Sequence, residues 1–524
     1  MLLGDVIRNR ILKFLKLDKI NNPADERLTF ISDQENIDIQ NIKEAKTWYI
    51  GDSNELLNYY TDEQVFGDTR EPIYNRNRRN YFWALSSQEA DIKRVHSGVP
   101  NAIVTTLVNV IGQPTIKCED KGIQEVIDKI IESNDFWHIF NQQQMPLTMV
   151  EGWGAYKINI RKDLSDEPII QYYEATNVKF AVSSGVLVGI VYLDYYDYNN
   201  KKYVLVETRR KANGNSYIEF ELYLMESGNE VKKVELSTIP EIADLKNVVI
   251  EGFNEVLGVA CKFFYDPLNK NYGRSIFTGK IDLFDDLDQI LSQDSQTVRV
   301  STPVEYYPVE LLERQKNGRP LMPKVYNRQY VQKEGIPDGD GHIDGTIQTT
   351  QPQLNFDQYS ANAKAKLDFI LTGLLSPATM GIDIAKKDNA DAQREKEKVT
   401  IMTRRNIIDR EEKIVKKLLS LCLNVKEYMA TEKITIKDYD FSVTFDEFAN
   451  PSFESELQVL GQAWSDGTIS TEKYVELLWG DKLSDEDKQK EIRYLDLNRQ
   501  KDDLEGIEDV AQPRFDFGAQ EEDN

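Results

Sequence analysis

The spacing of apolar and polar positions changes along the chain, and the changes predict where helices and strands lie. Residues 40–150 carry apolar side chains at helical intervals. One predicted helix has its capping signal at Ser53, and another begins after Pro100 and stops at Gly112 and Pro114. The apolar faces of these two helices are predicted to consist of Leu56, Leu57, Tyr60, Ile103, Leu107, Val110 and Ile111.

A second region, residues 155–265, has short runs rich in Val, Ile, Tyr and Phe that predict strands. Turn residues separate these runs at 183–185, 199–200, 213–214 and 227–229. One strand alternates between two faces, made of Ile218, Phe220, Leu222 and Leu224 on one side and of Tyr217, Glu219, Glu221 and Tyr223 on the other. The alternation predicts an antiparallel meander with one covered and one solvated face.

Two helices that bracket an insert are predicted next. The first spans about 275–300, with an apolar stripe and an acidic remainder that consist of Phe277, Phe284, Leu287 and Leu291, and of Asp282, Asp285, Asp286 and Asp288. We interpret the aspartates as a solvated face, because neighbouring side chains diverge around a helix axis. The Pro- and Gly-rich insert 303–351 contains strand candidates, and the second helix spans about 356–375, before Ser376 and Pro377.

A long helix is predicted after a polar loop that extends to Asn389. Residues 390–430 contain neither Pro nor Gly, and Ile401, Ile408, Val415 and Cys422 recur at intervals of seven. A strand candidate at 434–445 and shorter helices up to about 504 follow, before an acidic end at 506–524 that we expect to be disordered. The fold class predicted from these elements is α+β, in an elongated subunit.

Composition narrows the partners of the chain. Its 524 residues suffice for two or more packed regions, and 40% hydrophobic residues argue against disorder. The formal charge is −24, from 64 basic and 88 acidic residues, so tight binding of DNA or of an anionic membrane by bulk attraction is not expected. Weak attraction still permits a duplex to slide past such a surface.

The cysteine content predicts a reducing compartment, and the hydropathy predicts a soluble protein. Cys118, Cys261 and Cys422 are far apart and odd in number, which fits neither a disulfide framework nor a zinc knuckle. Residues 1–19 are amphipathic but interrupted by basic residues, so they do not predict a signal peptide. No apolar run approaches the roughly 20 residues of a membrane-spanning helix, and no membrane contact is expected.

Motifs for catalysis are weak. The segment from Gly273 to Ile281 resembles a phosphate loop, but it has one residue too many between its glycines and Ile where Ser or Thr belongs; we interpret it as a helix start. Asp340, His342 and Asp344 resemble part of a calcium loop, but Gln351 occupies the place of its final Glu, and a turn is the preferred interpretation. We expect no catalytic residue, metal or cofactor.

Several local patterns together resemble the portal proteins of tailed double-stranded DNA bacteriophages, in the branch typical of long non-contractile tails. The patterns are Trp48-Tyr49-Ile50-Gly51-Asp52 with Leu56 to Tyr60, Arg94-Val95-His96-Ser97-Gly98-Val99-Pro100, Gly373 to Gly381 leading into Gln393 to Lys398, and Asp466 to Ser470 with Leu477 to Gly480. The resemblance covers most of residues 40–505, and its strength lies in the order of the parts. It leaves His96 without a catalytic role.

The resemblance implies a domain order around a central channel. The expected parts are an N-terminal segment 1–19, a wing at 20–272 with a return strand at 431–447, stem helices at 273–302 and 352–376, a clip at 303–351, a channel loop at 377–389, a long helix at 390–430, a crown at 448–505 and an acidic tail at 506–524. The stripes of the stem and long helices are candidates either for contacts between subunits or for an intrachain core.

The family also implies partners and a mechanical role. The chain is expected to form a homo-oligomeric ring, usually a dodecamer, at one vertex of the virion capsid after assembly in the host cytoplasm. Its implied partners are the major capsid protein, the terminase large subunit that hydrolyses ATP, a head-completion or adaptor protein, and double-stranded DNA in transient contact. The DNA-facing candidates of the channel loop are Met380, Asp383, Lys386, Lys387 and Asn389.

Two rival functions stay open at this point. The first is a head or tail-completion protein without a channel, a function that does not explain why two helices bracket an insert. A metal-dependent nuclease or ATPase would use the aspartate cluster at 282–288. For Lys386 and Lys387, a plain solvated loop is the alternative to contact with DNA. Repeated around a ring, a solvated aspartate face would make an electronegative wall.

Overall fold

A computed structural model describes most of the chain in fifteen stretches. They are residues 35–61, 80–85, 92–225, 231–301, 303–308, 312–314, 316–319, 329–333, 347–351, 355–382, 390–431, 436–446, 460–465, 467–479 and 487–497. The architecture is mixed α+β, which confirms the predicted class. The chain divides into two compact units, the larger from 1–384 and 396–446 and the smaller from 385–395 and 447–524.

The helices alternate with strands in the first half and dominate the second. The α-helices are α1 (Glu35–Ile50), α2 (Ser53–Thr61), α3 (Val99–Ile111), α4 (Lys121–Ser133), α5 (Phe136–Ile139), α6 (Met145–Glu151), α7 (Ile281–Val300), α8 (Phe356–Leu371), α9 (Ala390–Thr431) and α10 (Thr471–Trp479). A π-helical turn, Phe140–Gln144, joins α5 to α6. No helix among the described residues combines the length and the apolar character needed to cross a membrane.

Fourteen strands of the described chain form four sheets. They are β1 (Pro114–Lys117), β2 (Trp153–Asn159), β3 (Ile169–Glu174), β4 (Val178–Ser183), β5 (Val186–Tyr198), β6 (Lys201–Ala212), β7 (Asn215–Met225), β8 (Val231–Val234), β9 (Val248–Ile250), β10 (Gly258–Lys262), β11 (Val304–Pro308), β12 (Gln329–Lys333), β13 (Gln348–Thr350) and β14 (Ser442–Phe445). The sheet orders are β1-β14, β10-β2-β3, β12-β11-β13 and β4-β5-β6-β7-β8 with β9 on β7.

The predicted antiparallel meander is confirmed in the largest sheet. Strands β4 to β8 pair antiparallel in chain order. Their tight turns use residues that tolerate positive φ, at Ser184, Asn199, Asn200 and Asn213. The predicted turn at 227–229 lies outside the described residues.

The expectation of one solvated face on this sheet is wrong at its β7 end. Leu222 and Leu224 are buried on one face with the turn residues Ile239 and Ile242, as predicted. On the opposite face Tyr223 is also buried, at 5% exposure, in a cluster with Val191, Leu193, Val204, Val206 and Met225. Both faces of β5 to β7 therefore carry buried apolar side chains, a feature that alternation within one strand does not predict.

The main core of the larger unit gathers around α9. Of its seven-residue series, Ile408, Val415 and Cys422 are buried, whereas Ile401 lies 36% exposed near the start of the helix. The buried members pack in one cluster with side chains of α3, α6, β2 and β10. For this stretch of the stripe, burial inside the chain is therefore the correct one of the two interpretations.

Several element ends differ from the predicted ones for local reasons. The cap of α2 is Asp52, whose Oδ1 accepts from the N–H groups of Asn54 and Glu55, at 2.8 and 3.0 Å. Helix α7 begins at Ile281, later than expected. Helix α8 ends at Leu371 because Gly373 takes φ 76°, so the chain turns before Pro377 is reached.

The smaller unit holds α10 and two further helical stretches at 460–465 and 487–497. Its buried apolar side chains, among the described residues, are Tyr474, Val475 and Leu478, packed against partly buried neighbours that include Trp464. The Trp464 and Tyr474 rings stack with centroids 5.5 Å apart. Thr471 links the stretches, since it accepts from Trp464 Nε1 at 3.1 Å and donates to Asp496 at 2.6 Å.

Candidate functional site

The two helices that bracket the insert form an antiparallel pair. Lys280, just before α7, donates to the carbonyl of Thr372, just after α8, at 2.9 Å. Midway, Lys366 Nζ lies 2.6 Å from Asp286 Oδ2. Further along, the Thr297 hydroxyl donates to the Tyr359 hydroxyl at 3.3 Å. From residue 280 to residue 297 along the first helix, the contacted residues along the second helix fall from 372 to 359. The two helices are therefore antiparallel, and the insert 303–351 begins and ends at the same end of the pair.

The insert carries a three-stranded sheet, as its strand candidates predicted. Strand β11 follows α7 directly and lies between β12, which pairs parallel with it, and β13, which pairs antiparallel. Strand β13 ends at Thr350, five residues before Asn355, the residue that directly precedes α8. The candidate site is thus a helix pair with a small sheet at its far end.

Much of this helix pair is uncovered within the chain. The buried residues of α8 are Ile370 and Leu371, in its last turn. Large apolar side chains of the pair are nevertheless exposed at both ends: Val298 by 55%, Val300 by 44% and Phe356 by 61% beside the sheet, and Phe369 by 64% in the last turn of α8. A single-chain core does not explain this exposure, because apolar groups at these positions gain nothing from water.

The end of the helix pair opposite the sheet is called the near end. On α7 this end is anchored by Asp288, which is completely buried. Its carboxylate accepts from Trp83 Nε1 at 3.0 Å and from the Ser97 N–H at 2.8 Å. His96 Nδ1 lies 2.7 Å from the same carboxylate. Three donors from two chain segments thus converge on one acid, which is how a buried carboxylate is compensated.

Asp285 and Ser292 extend the anchor along the same helix face. Asp285 Oδ2 accepts from the Phe82 N–H at 2.8 Å, and its Oδ1 accepts from the Trp83 N–H at 3.2 Å. Burial raises the pKa of Asp285 to about 7, against the lowering effect of these two donors. Ser292 Oγ accepts from the Val95 N–H at 2.8 Å. The described stretches 80–85 and 92–98 are therefore fastened to α7 through its polar side chains.

The interpretation of the aspartates as a solvated face is wrong for two of the four. Asp285 and Asp288 are buried, whereas Asp282 is exposed and Asp286 is half-buried. The electronegative wall expected from this face loses its two buried members. A signal was present in the sequence, since positions 281, 284, 285, 288 and 292 share one face of a helix and mix apolar with polar residues. Trp83, the donor partner, carried no such signal.

Two of the separate motifs meet at His96. The Trp48 ring lies 5.7 Å from the His96 ring and 5.7 Å from the Phe284 ring of α7. Trp48 Nε1 donates to the Tyr60 hydroxyl at 2.7 Å. Gly51 takes φ 69°, and a Cβ there would lie 2.9 Å from His96 Nε2. The first motif therefore packs against the second, and both pack against the near end of α7.

The channel-loop candidates fall mostly outside the described part of the chain. Four of the five candidates are outside the described residues, namely Asp383, Lys386, Lys387 and Asn389. Met380 is described, and it is partly buried against the main core. Before it, the Ser376 N–H donates to Thr400 Oγ1 at 2.9 Å, which ties the start of the loop to α9.

Residues suited to metal chemistry are not gathered in the described chain. Within the described residues, no group of three or more His, Cys, Asp or Glu side chains is arranged to hold a metal ion. The calcium-like residues Asp340, His342 and Asp344 lie outside that part of the chain. The segment that resembles a phosphate loop forms turns and leads into α7 at Ile281.

Comparison with known proteins adds no family assignment. A scan against models of protein families finds no match to this chain. A search of curated proteins finds no match either. A function for the chain must therefore be argued from the helix pair, its anchor and the motif residues.

Proposed function

We propose that this chain is a subunit of the portal ring of a tailed double-stranded DNA bacteriophage, the conduit through which DNA is packaged and ejected. The observation that carries the proposal is the antiparallel pair α7 and α8, which brackets the β11–β13 sheet and lies largely uncovered. In a portal ring such a pair forms the stem and the bracketed sheet the clip.

The exposed apolar side chains of the pair support assembly. Val298, Val300, Phe356 and Phe369 are each more than two-fifths exposed in the single chain. Copies arranged around a closed ring would cover these side chains, because a cyclic assembly pairs one surface of each subunit with a different surface of the next. The proposed ring is a dodecamer, as is usual in the family.

The meeting of two motifs supports the resemblance itself. Trp48 and Gly51 belong to one motif and His96 to the next, and they are in contact although they are separated by more than 40 residues. Because the two motifs pack against each other and against α7, the presence of His96 is accounted for by a structural role. The chain then needs no chemical step of its own, and the terminase large subunit supplies ATP hydrolysis.

Passage of DNA is proposed to involve the loop between Pro377 and α9. Lys386 and Lys387 would offer positive charge to passing phosphates in a chain whose formal charge is −24. Two cations per subunit in such a setting attract the duplex without strong adhesion. The further partners proposed are the major capsid protein and the head-completion or adaptor protein, in the virion after assembly in the host cytoplasm.

Electron microscopy of the purified full-length protein tests the assembly. A closed ring with a central hole is the expected result. Particles without a hole under all conditions would favour a non-channel head or tail-completion protein. A metal- or ATP-dependent activity of the purified chain on DNA would point to the enzyme alternative.

Reversing the charge of the loop tests the DNA contact. The double variant Lys386→Glu, Lys387→Glu is expected to lower packaged DNA in an infection or packaging assay by about tenfold or more, while rings still form, since it removes attraction to phosphate and adds repulsion. Lys201→Glu with Lys202→Glu is the matched control, because these are adjacent exposed lysines at a hairpin of the large sheet. Packaging at the level of this control would refute the loop assignment.

A further inference from the structure

A second buried acid lies on α9, in contact with the π-helical turn. Gln144, the last residue of that turn, donates through Nε2 to Glu411 Oε2 at 3.1 Å. Both side chains are 0% exposed. An inserted π-helical residue turns side chains away from the ordinary helical positions, and such turns are frequent at functional sites. Here the turn directs an amide at the middle of the long helix.

Two strands complete the surroundings of this carboxyl group. Tyr156 on β2 and Cys261 on β10 are both fully buried. Burial, with Glu411 close by, raises the pKa of the Cys261 thiol, and burial together with Cys261 and Glu411 raises the pKa of Tyr156. Both groups are therefore neutral at physiological pH, and neither supplies a positive charge to the acid.

No cation compensates Glu411 among the residues that the structure describes. The ion pairs there include none with Glu411. The nearest sequence neighbours of Glu411 and Cys261 with positive charge, Arg410 on α9 and Lys262 on β10, are exposed to solvent. The carboxyl thus faces one amide, one phenol and one thiol.

Three polar atoms of the cluster lack a hydrogen-bond partner within the described chain. They are Glu411 Oε1, Gln144 Oε1 and the Tyr156 hydroxyl oxygen. A carboxylate offers only acceptors and would leave the Gln144 carbonyl without a donor. A carboxylic acid carries an O–H, which can donate within the cluster, and it avoids a buried charge with a single neutral donor. Burial raises the pKa of Glu411 to about 8.

We infer that Glu411 is held as the neutral acid in the folded chain and that loss of its proton loosens the packing of α9 on the core. The cluster formed by Gln144, Tyr156, Cys261 and Glu411 then acts as a proton-binding site. Ile407, Ile408, Ile414 and Val415 are buried on either side of Glu411, so a charge here lies in the centre of the apolar face of the helix. The inference does not depend on the portal function.

The sign of the pH dependence follows from the two states of the acid. The unfolded chain releases this proton near the ordinary value of 4.5, whereas the folded chain retains it to about 8. Between these values only the unfolded state loses its proton, so the contribution of Glu411 to stability falls as pH rises. The ratio of folded to unfolded chain would fall by up to about tenfold per pH unit in this window.

Infrared spectroscopy of the full-length protein tests the protonation state. At about pH 6, where a solvated carboxyl is ionised, the C=O stretching band of a protonated acid should be present. Glu411→Gln should remove part of this band, and Asp409→Asn, an exposed acid on the same helix, should leave it unchanged. An unchanged band in Glu411→Gln would overturn the inference.

Denaturation across pH tests the coupling to α9. Stability of Glu411→Gln relative to wild type should increase as pH rises from about 5 to about 8, whereas Asp409→Asn should parallel the wild type. Hydrogen exchange of residues 405–418, normalised to the unfolded chain, should rise at high pH in the wild type more than in Glu411→Gln. Should Glu411→Gln fail to fold, Glu411→Met removes the same titration. Parallel pH curves for the wild type and both variants would refute the proton-binding site.

Discussion

The two ends of the helix pair α7 and α8 differ in whether their side chains are covered by other parts of the same chain. At the near end, Asp285, Asp288 and Ser292 are buried and accept hydrogen bonds from residues 82–83 and 95–97. At the far end, Val298 and Phe356 are more than half exposed. Buried polar side chains therefore fix the pair to its own chain at the near end, although Phe369 on α8 is exposed there, whereas the far end is left uncovered.

This difference separates stability from assembly. Buried polar groups at the near end have their partners inside the chain, so changes there should act on the folding of each subunit. Apolar groups at the far end have no such partners in the described chain, so changes there should act on association. The two ends can be distinguished by measuring unfolding and oligomeric state on the same variants.

The largest expected effect is at Asp288. Asp288→Ala removes the acceptor for Trp83 Nε1, Ser97 N–H and His96, and should lower the free energy of unfolding by about 3 kcal/mol or more. Denaturant titration measures this loss. Asp286→Ala is the control, since Asp286 is half exposed in an ion pair with Lys366 and should cost less than about 1 kcal/mol. Equal losses for the two variants would contradict the anchoring role.

A smaller effect is expected at Ser292. Ser292→Ala leaves the Val95 N–H without its acceptor and should cost about 1 kcal/mol of unfolding free energy. Ser295→Ala changes an exposed serine of the same helix and should leave stability within about 0.5 kcal/mol of wild type. If both variants behave alike, the contact between Ser292 and residue 95 contributes nothing to the anchor.

The smallest effect on subunit folding is expected at the far end. Val298→Ser combined with Phe356→Ser should change the unfolding free energy of the single subunit by less than about 0.5 kcal/mol, because both side chains are already exposed. Sedimentation should nevertheless show fewer assembled particles than for wild type. Loss of subunit stability with intact assembly would reverse the comparison between the two ends.

Two buried acids of the chain differ in how many hydrogen-bond donors surround them. Asp288 accepts from three donors, one of them a histidine, whereas Glu411 accepts from one amide. The scarcity of donors around Glu411 favours its neutral acid. The first acid is suited to hold a segment in place, and the second is suited to respond to pH.

Much of the fold was predictable because it depends on local periodicity. The meander of β4 to β8, the insert with its strands and the limits of α9 follow from alternation, turn residues and a stretch free of Pro and Gly. Element ends were predicted less well, as Asp52 and Gly373 illustrate, since one hydrogen bond or one left-handed residue moves a boundary by several positions.

The candidate site was predictable only in part. The first bracketing helix was predicted from its apolar stripe, the second from its stop before Ser376 and Pro377, and the motif residues Trp48 and His96 from their order. The DNA-contact role of Lys386 and Lys387 stays a prediction, as do the ring and its partners. The anchoring role of Asp285 and Asp288 was missed because carboxylates next to an apolar stripe were expected to face water.

Periodicity and turn chemistry along the chain were enough to define its class, its succession of helices and strands and its paired helices with an insert. Long-range contacts decided the rest: that Trp83 and His96 reach Asp288, that Tyr223 is buried, and that Gln144 meets Glu411. A hydrogen bond between residues about 200 positions apart leaves no periodic trace, because it depends on how separate elements pack and not on the spacing within either one.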